Sequence, residues 1–315
     1  MSKTPTDPTL ALGGPTMGAR WSVLIDNPLA DPALQSYFQA AVDEVDAQMS
    51  TWKPDSDLMR LNAAPLNTWV ALPDRLMTVL AAGLSVSRQT NGAFEMNVGD
   101  AVRAWGFVSD AIDLDAIRAA SAARRVPASQ ALELDQAKGR ARKSAPLALD
   151  LSGIAKGYAV DRLAETATQL GISRALCGID GEVRAIGTRW TGRPWAVGID
   201  MPDDIATGYH SRLALEDMAV ATSGDYRHFV TVAATRLSHT IDPRRGAPLV
   251  APPASVTVLS RSCMLADAMA TALMAMGEGP GSSFAKDHEI SVLFLRRSLG
   301  GTIATGTGAF TVTFE

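Results

Sequence analysis

Strand-like and helix-like segments are interleaved along this chain without a repeating βαβ beat, and that irregular order constrains the fold more than any other feature. Residues 20–26 (Arg-Trp-Ser-Val-Leu-Ile-Asp) read as a strand. Asp31 and Pro32 then read as a helix start, a capping side chain followed by proline at the first helical position. Leu34, Phe38, Ala41, Val42, Val45 and Met49 recur at helical spacing behind them. Pro73 opens a second helix carrying Leu76, Met77, Leu80 and Leu84, and the Ala/Arg-rich stretch 113–125 predicts a third. Residues 146–151 (Pro-Leu-Ala-Leu-Asp-Leu) read as a buried strand, 157–170 as a helix closed by Gly171, and 263–276 as a helix ended by Gly277. Short strand signals fall near 174–179, 182–187, 194–200, 228–234, 254–260, 290–296 and 308–314. The expected class is α+β, with mixed or antiparallel sheets covered by helices. Residues 1–16, rich in Pro, Gly and Thr, predict a loose start, and 17–315 a single domain with a soft internal boundary near 125–145.

Composition narrows the function classes. Hydrophobic residues make up 47% of the 315 and charged residues 20%, enough for a packed core. With 29 Lys plus Arg against 33 Asp plus Glu, the net charge is −4, which argues against a nucleic-acid partner but leaves room for a local phosphate pocket. Cys177 and Cys263 are far apart and lack close-spaced partners, which excludes a cysteine-based zinc site and a disulfide-rich framework. They read as inert thiols, a single disulfide staying open. His210, His228, His239 and His288 form no HxxxH or HExxH pattern, so any bound metal must take oxygen ligands, as magnesium or calcium does. No stretch of about 18 apolar residues predicts a membrane span. The apolar run near the start is shorter than a signal-peptide core, so the expected compartment is the cytoplasm, or the periplasm for a processed chain.

Several constellations carry chemistry, each with a plainer alternative. Asp267 and Thr271 are four apart, so a helix puts a carboxylate and a hydroxyl on one face about 6 Å apart along its axis. Two hard oxygens at that spacing can grip a magnesium ion; equally, Asp267 can cap the helix and Thr271 bond back to it. Asp150-Leu-Ser152-Gly153-Ile154-Ala155-Lys156-Gly157-Tyr158 reads as strand, glycine turn and helix start, a setting for phosphate oxygens or an ordinary turn. Thr222-Ser223-Gly224-Asp225-Tyr226 can hold a phosphate or ribose, or be a hairpin turn. His239, before Asp242-Pro243 and Gly246, can act as a general base or serve the structure. Gly92-Ala93-Phe94-Glu95 and Trp105-Gly106-Phe107 offer aromatic faces for a flat ring or for the core, as does Met49-Ser-Thr-Trp52.

Taken in order, these segments resemble one family. Met17-Gly18, Met49-Ser-Thr-Trp52 with Ser56 and Leu61-Asn62, Gly92-Ala-Phe94 with Val98-Gly99 and Trp105-Gly106-Phe107, Asp150-Leu with Ile154-Ala-Lys-Gly-Tyr158, Thr222-Ser-Gly-Asp-Tyr226, His239-x-Ile-Asp-Pro243 and Ala266-Asp-Ala with Ala270-Thr271-Ala follow the pattern of the FAD:protein FMN transferases, also called ApbE-like flavin transferases. The resemblance spans about residues 17–280. It implies an enzyme that binds FAD as substrate and Mg2+ as cofactor, and moves FMN onto a Thr or Ser hydroxyl of an acceptor flavoprotein through a phosphoester bond, releasing AMP. By motif it implies Asp267, Thr271 and the carbonyl of Ala155 as magnesium ligands, and His239 as general base. It implies Met17, Trp52, Ala93, Phe94, Glu95, Ser152, Tyr158 and Ile241 as the FAD site. Two other activities fit the same residues, an FAD pyrophosphatase giving FMN and AMP, and a non-catalytic FAD-binding maturation factor. The chain departs from the family pattern at Glu95-Met96-Asn97, where Asp-Pro-Thr is usual, at Arg245, where Thr is common, and at Asp180-Gly181-Glu182, where a Gly-Gly pair and Asp or Asn are common.

Overall fold

The structure, a computed structural model, describes residues 9–26, 31–107, 113–202, 208–225, 229–232, 235–299 and 301–311. The chain opens on a hairpin of β1 (Thr9–Thr16) and β2 (Ala19–Asp26), paired from Thr9↔Asp26 to Thr16↔Ala19. Met17 and Gly18 form its two-residue turn with φ of 48° and 71°, the left-handed geometry that tight hairpins require. Residues 9–16 thus correct the expectation of a loose start, while residues 1–8 lie outside the described residues. The Gly13-Gly14-Pro15 run looked like a loop, but β1 is the edge strand of its sheet, where proline's missing N–H is tolerated.

The helical layer comes next. It comprises α1 (Leu34–Met49), α2 (Asp57–Ala63), α3 (Asp74–Gln89), α4 (Gly99–Ala104), α5 (Leu114–Ala122) and α6 (Ala128–Ala131). A small sheet is woven into it from β3 (Val70–Ala71), β4 (Leu132–Asp135) and β5 (Arg140–Lys143), with β5 in the middle. The first helix starts two residues later than the Asp31-Pro32 pair predicts: Asp31 accepts the Ala33 N–H at 2.8 Å in a turn ahead of it, and the N-cap is Ala33, which makes no side-chain cap bond. Leu34, Phe38, Ala41, Val42, Val45 and Met49 form its buried face as the periodicity predicts. Asp113 caps α5 by accepting from the Asp115 and Ala116 N–H groups.

The second half builds the main sheet. After α7 (Ala155–Gln169) come β6 (Ala175–Ile179), β7 (Glu182–Ile186), β8 (Trp195–Asp200), β9 (Tyr209–Leu215), β10 (Ala219–Gly224), β11 (Phe229–Val232) and β12 (Thr235–Ser238). Then follow β13 (Ile241–Asp242), β14 (Ala247–Pro248), β15 (Ser255–Ser260), α8 (Cys263–Met276), α9 (Glu278–Asp287), β16 (Ser291–Ser298) and β17 (Gly301–Gly306). Eight strands order as β1-β2-β6-β7-β10-β15-β16-β17, and each pairing is antiparallel. Side chains alternate across it. Ala219 and Ala221 face the layer of α7 and α8, whereas Val220, with Ala185, packs against Trp195 and Leu215 of the β8–β9 hairpin. The fold is α+β, as expected.

Two expectations need correction. Residues 146–151 are buried through Leu147, Leu149 and Leu151, yet they form no strand. Their backbone is satisfied by side-chain amides. Asn97 Oδ1 accepts the Ala148 N–H at 2.8 Å. Asn62 Oδ1 accepts the Leu149 N–H at 2.8 Å while its Nδ2 donates to the Leu149 carbonyl at 2.9 Å. Near 308–314 the described residues hold a 3-10 turn, Gly308–Phe310, after β17, the last strand among the described residues; residues 312–315 lie outside them. The Tyr226 end of the Thr222–Tyr226 motif and His228 also lie outside them. No helix among the described residues is long and apolar enough to cross a membrane.

Candidate active site

One end of the sheet and the starts of two helices converge on a cleft of about 1010 Å³, counting its open mouth. The turn before α7 brings Asp150, Ser152, Gly153 and Lys156; the β6–β7 turn brings Asp180, Gly181 and Glu182; and the end of β10 brings Thr222, Ser223 and Gly224. Phe94 with its neighbours Ala93 and Glu95, Val98 just before α4, Val102 within it, and the 239–243 segment around β13 also line it. From α8, Asp267 and Thr271 enter the wall together, as their four-residue spacing predicts.

Asp267 is 4% exposed, and its Oδ2 accepts the Gly157 N–H at 3.0 Å. The contact exists because residue 157 is a glycine. A Cβ there would run into the Cys263 carbonyl oxygen and stand 2.7 Å from Asp267 Cβ. Burial, then the nearby Glu182 carboxylate, push the Asp267 carboxyl up to about 7, with Lys156 acting against them. Thr271 Oγ1 lies 3.3 Å from Ser223 Oγ, and a Cβ on Gly153 would sit 2.9 Å from the same Thr271 oxygen. Glycine at 153 therefore keeps open the space in front of that hydroxyl. An acid so buried, one helical turn from a hydroxyl and with no sulfur ligand among the described residues that line the cleft, fits a hard divalent cation of the magnesium type. Among the described residues no three His, Cys, Asp or Glu side chains gather as a metal cluster, so the set does not suit zinc.

The remaining expected residues divide. Ala93, Phe94, Glu95, Ser152, His239 and Ile241 line the cleft. Glu95 is also committed locally, its Oε1 accepting the N–H groups of Asn97 (2.8 Å) and Ala128 (3.0 Å). Ala155 is buried at the first position of α7. Tyr158 is buried one turn further on, its hydroxyl paired with Arg75, and burial raises its pKa. Met17 sits in the β1–β2 turn, packed against the main core, and Trp52 is 64% exposed just after α1. None of these four is among the residues that line the cleft. The two cysteines are free and buried, and burial pushes the Cys177 thiol up to about 12, as expected for inert thiols.

The sequence places Asp150 and Lys156 in the 150–158 turn and Glu182 among the departures from the family pattern, but assigns none of them as a site residue. Asp150 Oδ1 accepts the Ser152 N–H at 2.8 Å, whereas its buried Oδ2 has no partner among the described residues and can take a proton donor from a ligand. Lys156 pairs with Glu182, which is 2% exposed. An acid at the first position of a short strand, directly after an Asp-Gly turn, was the available signal for Glu182.

An antiparallel sheet backed by helices, with oxygen donors, an imidazole and the Phe94 ring lining one cleft, defines an α+β ligand-binding protein. The chain belongs to the ApbE family, whose family model matches residues 17–294. It is 35% identical to an FAD:protein FMN transferase of Vibrio cholerae across 92% of this chain and 88% of that protein. It is 33% identical to one of Klebsiella pneumoniae across 93% and 85%. Among solved structures it is similar to the flavin transferase of Vibrio cholerae, with TM-score 0.85, 33% identity and coverage of 97% and 99%. The apo flavinyl transferase of Pseudomonas stutzeri gives TM-score 0.84, 34% identity and 96% coverage of both chains.

Proposed function

We propose that this chain is an FAD:protein FMN transferase, moving FMN from FAD to a Thr or Ser hydroxyl of an acceptor flavoprotein and releasing AMP. The observation that carries this is the meeting of the Asp267–Thr271 pair, the His239 imidazole and the Phe94 ring in one cleft, in a chain whose relatives bear that name. Asp267, Thr271 and the Ala155 carbonyl are the proposed magnesium ligands. Magnesium, when bound, supplies charge neutralisation for the pyrophosphate of FAD.

The chain's own residues do the rest. Phe94 and Ile241 give the flavin an apolar wall, and exposed Trp52 offers a ring face to the part of FAD that projects from the cleft. Met17, Ala93, Glu95, Ser152 and Tyr158 complete the proposed FAD surroundings. His239 accepts the proton of the acceptor hydroxyl as its oxygen attacks the FMN phosphorus. The bond between that phosphorus and the bridging oxygen breaks, and AMP leaves with the bridging oxygen.

Incubation with FAD, Mg2+ and an acceptor flavoprotein is expected to give covalent flavin and AMP in equal amounts. Asp267→Ala is expected to abolish both, and also to abolish Mn2+ binding followed by electron paramagnetic resonance. AMP release at the same rate without acceptor, or no covalent flavin on an acceptor that a Vibrio cholerae relative modifies, would refute the proposal.

A further inference from the structure

Lys156, Glu182, Asp180 and Asp267 place three carboxylates around one ammonium on the inner wall of the cleft. Lys156 Nζ donates to Glu182 Oε1 and Oε2 at 3.0 and 3.1 Å and stands 3.5 Å from Asp180 Oδ2. Among the described residues, no hydrogen bond or ion pair joins it to Asp267, although each feels the other's charge. The neighbouring residue, Gly157, touches Asp267 directly through its N–H. A lysine on a flexible four-carbon stem can turn to any carboxylate within reach, and Lys156, its side chain 28% exposed, sits among three of them. If it turned to Asp267 it would occupy the charge that a divalent cation needs.

We propose that Glu182 is a positioning residue that holds the Lys156 ammonium off Asp267, so that this carboxylate stays open to a divalent cation. The identity of that cation site rests on the flavin-transfer reading above. The geometry supports the role in two ways. Glu182 presents both oxygens to the ammonium from the first position of β7, fixed there by the two-residue Asp180–Gly181 turn. Asp180 does not replace it, because its carboxylate is 23% exposed and 3.5 Å away, so water screens it more than buried Asp267. Without Glu182, the ammonium's strongest remaining partner is therefore Asp267.

The test is Mn2+ binding to the full chain, read by electron paramagnetic resonance without FAD. Glu182→Gln is expected to weaken binding by about tenfold or more, because ammonium and metal then compete for one carboxylate. Adding Lys156→Gln to it is expected to restore binding to within about threefold of the unsubstituted chain, since the competitor is gone. A pair that merely braces the fold would leave the double variant as weak as the single one, and that result overturns the proposal, as does Glu182→Gln binding Mn2+ normally. Should Glu182→Gln fail to fold, Lys156→Gln alone decides: unweakened binding supports the proposal, and a tenfold loss overturns it. Asp267→Ala is the control. If it still binds Mn2+, the cation site itself is misassigned, a failure distinct from that of the pair.

Discussion

Gly157→Ala adds one methyl group where α7 crosses α8, and its consequences follow from the local geometry. The new Cβ would overlap the Cys263 carbonyl oxygen, lie 2.8 Å from that carbonyl carbon and 2.7 Å from Asp267 Cβ. None of these atoms is the end of a side chain that can swing aside, so the helices must part. Overpacking of this kind costs ~1–3 kcal/mol, against which alanine's better helix propensity returns ~1 kcal/mol. Parting the helices also breaks the 3.0 Å bond from Gly157 N–H to Asp267 Oδ2, a bond to an ionisable acceptor worth ~1.5–3 kcal/mol. The net expectation is a loss of about 2–4 kcal/mol in urea unfolding, with the transition midpoint lowered and its slope unchanged. Mn2+ affinity should fall in the same variant, because Asp267 loses the bond that orients it. A variant that unfolds at the same urea concentration and binds Mn2+ as before would refute the claim that this crossing sets the Asp267 carboxylate.

Other outcomes follow. Gly153→Ala puts a Cβ 2.9 Å from Thr271 Oγ1 and 3.1 Å from its Cγ2, atoms of a stiff β-branched side chain, so stability should fall by ~1–3 kcal/mol while Mn2+ and FAD binding weaken, as urea melts and titrations would show. Asn62→Ala leaves the fully buried Leu149 N–H and carbonyl without partners and should cost ~2–4 kcal/mol in the same melts. Asp26 should make stability depend on acid. Burial alone would raise its pKa, but Arg189, the Trp190 N–H and Thr9 together hold it below the ordinary 3.8. Its contribution is therefore complete above the unfolded value and is lost as pH falls through the folded one, so the stability gap to Asp26→Asn should shrink as pH falls past 3.8 in thermal melts.

The sequence made some of this legible and hid the rest for physical reasons. Long amphipathic helices such as α1 and α3 were readable because one face carries the buried Leu, Val and Met, α8 because its apolar run is bounded by Ser262 and Gly277, and the Asp267–Thr271 pair because both lie on that one helix. Residues 9–16 were not, because a Gly-Gly-Pro run is tolerated on an edge strand and reads like a loop. Helix α9 was missed because Glu278-Gly-Pro-Gly spells a turn, although Pro280 sits in the first helical turn, where no N–H is required. Leu147–Leu151 looked like a strand because burial gives the same apolar signature whether a neighbouring strand or a side-chain amide satisfies the backbone. Lys156 and Glu182 lie 26 residues apart on a helix and a hairpin, and no local pattern announces that they meet.

The amides of Ala148 and Leu149 are bonded to Asn97 and Asn62, and Asp150 N–H to the Met96 carbonyl at 2.8 Å. Deuterium should therefore enter this stretch as slowly as it enters the central sheet, although no strand runs there. The stretch ends in Asp150 and Ser152 at the base of the cleft, so the base is a stiff anvil.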